Sequence, residues 1–266
     1  MPINLLKQWR VIAQSFRIQW LQIAEYKENF VFDVSSRVIG FLVFWFMWQS
    51  ILGNTDIPGW DLPGLLVLAG FQNITMSMML IFIYGVTKIR HMITSGELDN
   101  YLARPVVPWV PVVVQNGYFA FSGVLLGLAL LVLAWSSFGL QINPFIALTI
   151  LLLIIVGMGI AFCFALIVAS LSFWLGKNDL FDDIFWGIYE FDQYPTTIFP
   201  GAIQLILAFT IPFMLLETLP AILLIGRAPE IVGVQWLGAG VLVLIVDAWI
   251  ANQIWKRGVK KYEAFG

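Results

Sequence analysis

Charged residues are scarce in this sequence. They make up 11% of its 266 residues, whereas a soluble domain carries roughly 25%. Hydrophobic residues account for 60%, and the mean hydropathy is +0.89. Apolar runs with so few charges would not stay dissolved in water, so the composition excludes a soluble globular domain and predicts a membrane protein.

Cysteine and histidine are nearly absent, with one residue of each, Cys163 and His91. A single cysteine cannot form an intrachain disulfide. One cysteine and one histidine also exclude a Cys/His metal cluster, so we predict no metal site. We expect no cleavable signal peptide, because the first 30 residues alternate polar and apolar side chains.

Motifs for catalysis and nucleotide binding are also lacking. The Gly176-Lys177 pair is followed by Asn178 and has no upstream glycine of a phosphate-binding loop. No HExxH or GxSxG pattern occurs. We therefore predict that the chain is not an enzyme, has no cofactor of its own, and has no nucleic-acid partner.

Six windows of the sequence are long and apolar enough to cross a membrane, which takes about 20 residues. They are predicted at about 34–52, 62–84, 110–135, 144–175, a fifth zone that begins near 201, and 232–255. The predicted fold class is therefore an all-α membrane protein with six transmembrane helices.

Lysine and arginine are distributed unevenly between the connections. Thirteen of the 14 lie before or at the start of the first span, in the second-to-third and fourth-to-fifth connections, or in the C-terminal tail. Only Arg227 falls on the other side. Basic connections stay on the cytoplasmic side. We therefore predict a bacterial inner-membrane protein with both termini in the cytoplasm.

The N-terminal segment, residues 1–33, is predicted as an amphipathic helix lying on the cytoplasmic membrane surface, in contact with lipid. It is either a simple anchor or a connecting helix that also contacts a cytoplasmic partner. Its apolar residues recur every three or four positions: Leu5, Leu6, Trp9, Ile12, Ala13, Phe16 and Trp20.

Two connections on the basic side carry further patterns. The coupling loop, residues 85–109, contains two short amphipathic pieces separated by Ser95-Gly96. The acidic and aromatic run from Gly176 to Pro200 is interpreted as an interfacial cytoplasmic helix that leads into the fifth span. After the sixth span, residues 256–266 are predicted as a cytoplasmic tail, so the transmembrane domain is expected to cover 34–255.

The fifth zone contains two prolines, Pro212 and Pro220, which one straight span would not accommodate. We predict a span followed by a re-entrant hairpin at residues 213–227, between the fifth and sixth spans. Two acids lie at membrane depth. Glu217 lies within the predicted hairpin, and Asp247 lies in the sixth span. Each is a candidate polar site. A structural hydrogen bond explains Asp247 equally well.

Two stretches resemble the transmembrane permease subunit of type-2 ABC exporters, in the branch of small bacterial permeases without a fused ATPase. The first runs from Ser95 to Val106 and is similar to the family's Gly-x-hydrophobic-Asp-x-x-Leu-x-Arg-Pro signature. The second combines Tyr194-Pro195, Pro200, Pro212 and Pro220-Ala221 around the fifth span.

The resemblance implies a dimer of permeases, with an identical or a related second chain, bound to a dimer of cytoplasmic ABC ATPases that holds ATP and Mg. The coupling role would fall on Ile89, Arg90, Met92, Ile93, Gly96 and Leu98. The cargo path at the permease interface would be lined by Phe71, Gln72, Met76, Met79 and Glu217, although ordinary packing explains any single one of these equally well.

Two other functions remain open at this point. A secondary transporter or channel could be driven by an ion gradient through Asp247 or Glu217. A membrane-embedded enzyme is disfavoured, because the sequence lacks a catalytic constellation. The cargo itself is not indicated by any pattern in the chain.

Overall fold

The computed structural model describes residues 27–102, 109–118, 120–140, 143–176, 187 and 190–262, together with residues 13, 14, 17, 18, 20, 21 and 25. Throughout the described residues the regular structure is helical, as predicted. Five helices are long and apolar enough to cross a membrane, and six are reached if one bent helix pair is counted as a span. The all-α membrane class is thereby confirmed.

The described helices alternate between long spans and short connecting pieces. In chain order they are α1 (Lys27–Asn54), α2 (Leu62–Phe82), α3 (Tyr84–Ser95), α4 (Asp99–Leu102), α5 (Trp109–Asn116), α6 (Phe121–Phe138), α7 (Pro144–Ser170), α8 (Ser172–Leu175), α9 (Gly201–Phe209), α10 (Leu219–Leu224) and α11 (Glu230–Lys261). Turns of 3₁₀ helix cover Glu190–Gln193 and Thr196–Ile198, and a π-helical turn covers Met214–Thr218.

The predicted boundaries of the second and third spans need correction. The third window, 110–135, is divided into α5 and α6 by a break after Asn116. The second window continues past residue 84, because α2 and α3 form one 34-residue apolar helix. At 1.5 Å per residue this helix is about 51 Å long, more than a bilayer core requires.

Of the N-terminal segment, Ala13, Arg17 and Trp20 are helical, and the Trp20 ring makes an edge contact with Phe121. The other residues that define its apolar stripe, such as Leu5 and Trp9, lie outside the described residues. Its position on the membrane surface therefore stays a prediction.

Glycines set the close approach of α6 to α2. A Cβ atom at Gly127 would lie 2.5 Å from the Gly70 carbonyl oxygen, and one at Gly70 would lie 2.8 Å from Leu131. Gly123 is equally tight against Ser77. The Gly-x-x-x-Gly pattern thus serves packing within the chain, the use that small residues have in membrane helix pairs.

Helices α7 and α11 pack side by side and run in the same direction. Asn143, at the start of α7, donates a hydrogen bond to Glu230, at the start of α11. Near the other ends, Phe173 packs against Gly258 and Trp255. We call the end where α11 finishes, with Lys260 and Lys261, the basic end. The end marked by the Arg227–Asp61 ion pair is called the opposite end.

The bent pair consists of α9 and the segment Met214–Leu224, which meet at 84° beside Pro212. Its two flanks reach the same loop at the opposite end: the Trp60 indole donates to Thr197, and Arg227 bonds to Gly59 and Asp61. Between those flanks, Leu216 reaches Gly157 in the middle of α7. These contacts favour a re-entrant loop over a broken span.

One prediction for this region is wrong. Residues 176–200 were expected to stay at the basic surface, but the Trp48 indole donates to the Gln193 carbonyl oxygen at 3.2 Å and Trp60 donates to Thr197 at 2.8 Å. Both tryptophans lie toward the opposite end. Thr197 therefore lies at the opposite end, and residues 177–186, 188 and 189 of the predicted surface helix lie outside the described residues. The acidic and aromatic composition that suggested a surface helix gave no sign of these contacts.

Candidate functional site

A cleft of about 290 Å³ opens between α1, α2 and the 190–193 turn. Its wall combines charged, amide, aromatic and thioether groups at the depth of the apolar spans. The lining residues that matter below are Arg37, Phe41, Phe44, Gln72, Asn73, Met76 and Asp192. An opening with a few polar groups in an apolar wall is the usual form of a small-molecule site.

Arg37 is the cation of this cleft, and its charge is balanced locally. Its Nε lies 3.4 Å from a carboxylate oxygen of Asp33, one helical turn earlier. Asp33 also accepts a hydrogen bond from Ser122 at the start of α6. The pair thus fastens α1 to α6 and lowers the cost of placing two charges in an apolar span.

Gln72 joins the cleft wall to the 190–193 turn, because its side-chain amide donates to the Asp192 carbonyl oxygen. Its neighbour Asn73 donates to the Ala69 carbonyl oxygen, 2.9 Å away in the same helix. Gln72 therefore ties α2 to the 190–193 turn, whereas Asn73 bonds within its own helix.

The predicted path residues divide into two groups. Gln72 and Met76 line the cleft, whereas Phe71 and Met79 are buried in the core. Glu217 is 2% exposed, its Oε1 lies 3.0 Å from the Thr75 hydroxyl oxygen, and neither residue lines the cleft.

Sequence reasoning missed the contribution of α1 and Asp192 to the cleft. Arg37 within an otherwise apolar span was the available signal, although its place near the start of that span also fits a side chain that reaches the membrane surface. Asp247, the other predicted polar site, is half-buried on α11. It does not line the cleft.

The predicted coupling residues are mostly buried within the chain. Ile89, Arg90, Met92, Ile93 and Leu98 are all shielded from solvent, and Gly96 ends α3 with a φ of 78°. That left-handed conformation suits glycine and turns the chain into α4. The exposed side chains of the segment are instead Lys88, His91, Ser95, Glu97, Asp99 and Asn100.

Several elements meet beneath this segment at the basic end. Phe173 packs against the rings of Trp255 and Tyr262, and a cleft of about 420 Å³ separates Ile93 and Thr94 from Lys261 and α8. Burial raises the pKa of Tyr262, and the nearby Asp99 carboxylate raises it further. The Phe173 ring of α8 thus links the end of the fourth apolar span to Trp255 of α11 and to Tyr262 below the exposed coupling surface.

A family described as ABC-2 family transporter protein matches residues 36–266. This match spans most of the chain, including most of α1 and the whole bent pair. The protein belongs to the ABC-2 transporter family. No curated protein and no solved structure matches it.

Membership in the ABC-2 family makes this chain the membrane component of an ABC transporter, and it supports the resemblance found in the sequence. An ABC-2 permease is a transport component rather than a catalyst. Within the part of the chain that the structure describes, no group of three or more His, Cys, Asp or Glu residues is arranged to hold a metal ion.

Proposed function

We propose that this ABC-2 permease forms the cargo path of an ATP-driven exporter and couples it to a separate cytoplasmic ATPase dimer that binds ATP and Mg. The observation that carries the proposal is the polar cleft between α1, α2 and the 190–193 turn, in a chain of the ABC-2 family. A second permease, identical or related, would face this cleft and complete the path.

The coupling surface is proposed at the exposed residues of α3 and the following turn. Lys88, His91 and Glu97 would contact the ATPase, while buried Ile89, Met92 and Ile93 would transmit its movement into the bundle. Different contacts in two states are what allows a partner to shift a conformational equilibrium. The basic end would accordingly be cytoplasmic, in the bacterial inner membrane.

Purification of the chain from its native membrane tests this proposal. We expect an ABC ATPase to accompany it in stoichiometric amount, and a second permease to be seen if the dimer is mixed. The variant Lys88→Glu should reduce the amount of ATPase recovered, because it reverses an exposed charge at the contact. Lys256→Glu, an exposed charge on α11 away from the segment, is the matched control.

Recovery of an intact, oligomeric permease without any ATPase under mild detergent would contradict the proposal. In that case transport driven by an ion gradient becomes the better function. The observation that favours this second candidate is the buried acid Glu217 directly behind the cleft. Cargo uptake that persists without ATP and is lost in Glu217→Gln or Asp247→Asn would establish it.

A further inference from the structure

Glu217 lies in the π-helical turn of the bent pair, a local geometry that often marks functional sites. It is 2% exposed. Among the described residues no cation pairs with it, since the ion pairs join Arg37 to Asp33 and Arg227 to Asp61. A lone carboxylate in such a place is costly unless it is paired or neutralised.

The hydrogen bonds of Thr75 indicate the protonation state of Glu217. The Thr75 hydroxyl oxygen lies 3.0 Å from Oε1 of Glu217 and 2.9 Å from the Phe71 carbonyl oxygen. A hydroxyl has one proton to donate. If Glu217 were ionised, both neighbours would be acceptors and only one could receive that proton. If Glu217 is protonated, it donates to Thr75, and Thr75 donates to Phe71.

The lack of nearby cations also favours a protonated Glu217 among the described residues. Helices α2 and α7, which pack on the π-helical turn, carry no charged side chain, and Cys163 is the titratable group of α7. Helix α11 contacts the turn through Gly240, two helical turns from Asp247.

Asp192 of the 190–193 turn is the other acid near Glu217, because Gln72 bonds to Asp192 and Thr75, three residues further along α2, bonds to Glu217. A neighbouring like charge disfavours ionisation of either carboxyl group. Arg37 lies in the wall of the adjacent cleft, where its partner is Asp33.

We propose that Glu217 is a proton-binding site of the permease, which holds its proton while the bent pair is seated against α2 and releases it when that contact opens toward the cleft. On release the carboxyl O–H bond breaks, the proton passes to water in the cleft, and a carboxylate remains. The link between release and transport rests on the proposed function of the cleft, whereas proton binding in the seated state does not.

Infrared spectroscopy of the purified full-length chain in lipid nanodiscs tests the proton directly. At neutral pH we expect a carbonyl stretch of a protonated carboxylic acid that Glu217→Gln removes. The control Glu97→Gln changes an exposed acid at the basic end and should leave that band intact. A band of equal intensity in the wild type and in Glu217→Gln overturns the proposal.

A second variant covers the case in which Glu217→Gln does not fold. Thr75→Val keeps the side-chain shape but removes the hydroxyl that accepts the proton, so the band should move to higher frequency, whereas Thr75→Ser should leave it in place. An unshifted band in Thr75→Val contradicts the assignment. Neither measurement requires an ATPase, so failure to recover an ATPase would refute the proposed function without affecting this result.

Discussion

At the scale of single residues, the glycines where α2 and α6 meet are tightly constrained. A Cβ atom at Gly127 would meet backbone of α2 at 2.5 Å, which a side-chain movement cannot relieve. By contrast, a Cβ atom at Gly238 of α11 has nothing within 4 Å. These two glycines have the same chemistry but opposite surroundings.

We expect Gly127→Ala to destabilise the protein by about 1–3 kcal/mol, the usual cost of overpacking a close contact. Gly238→Ala should be neutral or slightly stabilising, because alanine favours helix over glycine by about 1 kcal/mol. Thermal unfolding of both variants in the same detergent measures the difference. Equal melting temperatures would show that α2 and α6 do not approach as closely as described.

The Arg37–Asp33 pair provides a second prediction at this scale. Arg37→Leu should destabilise more than the double variant Arg37→Leu/Asp33→Leu, because the single change leaves an uncompensated carboxylate in an apolar span. A double-mutant cycle on thermal unfolding should give a coupling energy of about 0.5–3 kcal/mol. Additive effects would mean that the two side chains are independently solvated.

At the scale of elements, the bent pair is the unit whose topology matters most. The contacts of Thr197 and Arg227 with the 59–61 loop place both of its flanks at the opposite end. A broken span would instead have its flanks on different sides of the membrane. The two arrangements therefore differ in which residues a water-soluble reagent can reach from one side.

Cysteine labelling separates these arrangements. In a Cys163→Ala background, Thr197→Cys and Arg227→Cys should both react with a membrane-impermeant maleimide added outside intact cells. Lys260→Cys should react only after the membrane is opened. Labelling of Thr197→Cys and Arg227→Cys from different sides would establish a broken span and place the crossing after Pro200.

At the scale of the whole molecule, the basic end brings the coupling segment together with α7, α8 and α11. Helix α3 packs on α7 and α8. Phe173 of α8 contacts Trp255 and Tyr262, and Gly258 leaves room for its ring. Movement of α3 would therefore reach α11 through Phe173.

We expect Phe173→Ala to weaken the coupling of ATP hydrolysis to transport, because it removes this common contact. Phe173 is half-buried, so thermal stability should fall as well, by less than the ~3–5 kcal/mol lost with a fully buried aromatic. Phe145→Ala changes an exposed ring at the other end of α7 and is the control. Hydrolysis per transported cargo, measured in proteoliposomes, should rise in Phe173→Ala and stay at the wild-type value in the control.

The class of the protein follows from the sequence by itself. Scarce charges and runs of about 20 apolar residues are local properties, so they predicted an all-α membrane protein, and the stretches around Ser95 and Pro212 indicated the family. The first, fourth and sixth windows correspond to α1, α7 and α11 with boundaries a few residues off. The uneven distribution of lysine and arginine predicts the orientation, which the labelling experiment would measure.

Only the tertiary structure decided which side chains meet. Thr75 and Glu217 are 142 residues apart in the chain, Gln72 and Asp192 are 120 apart, and Trp48 and Gln193 are 145 apart. Helical periodicity assigns a residue to a face but does not say which helix covers that face. For that reason the burial of Ile89 and Leu98, the cleft contribution of α1 and the contact of Thr197 with Trp60 could not be predicted from local pattern. They depend on how the spans pack against each other.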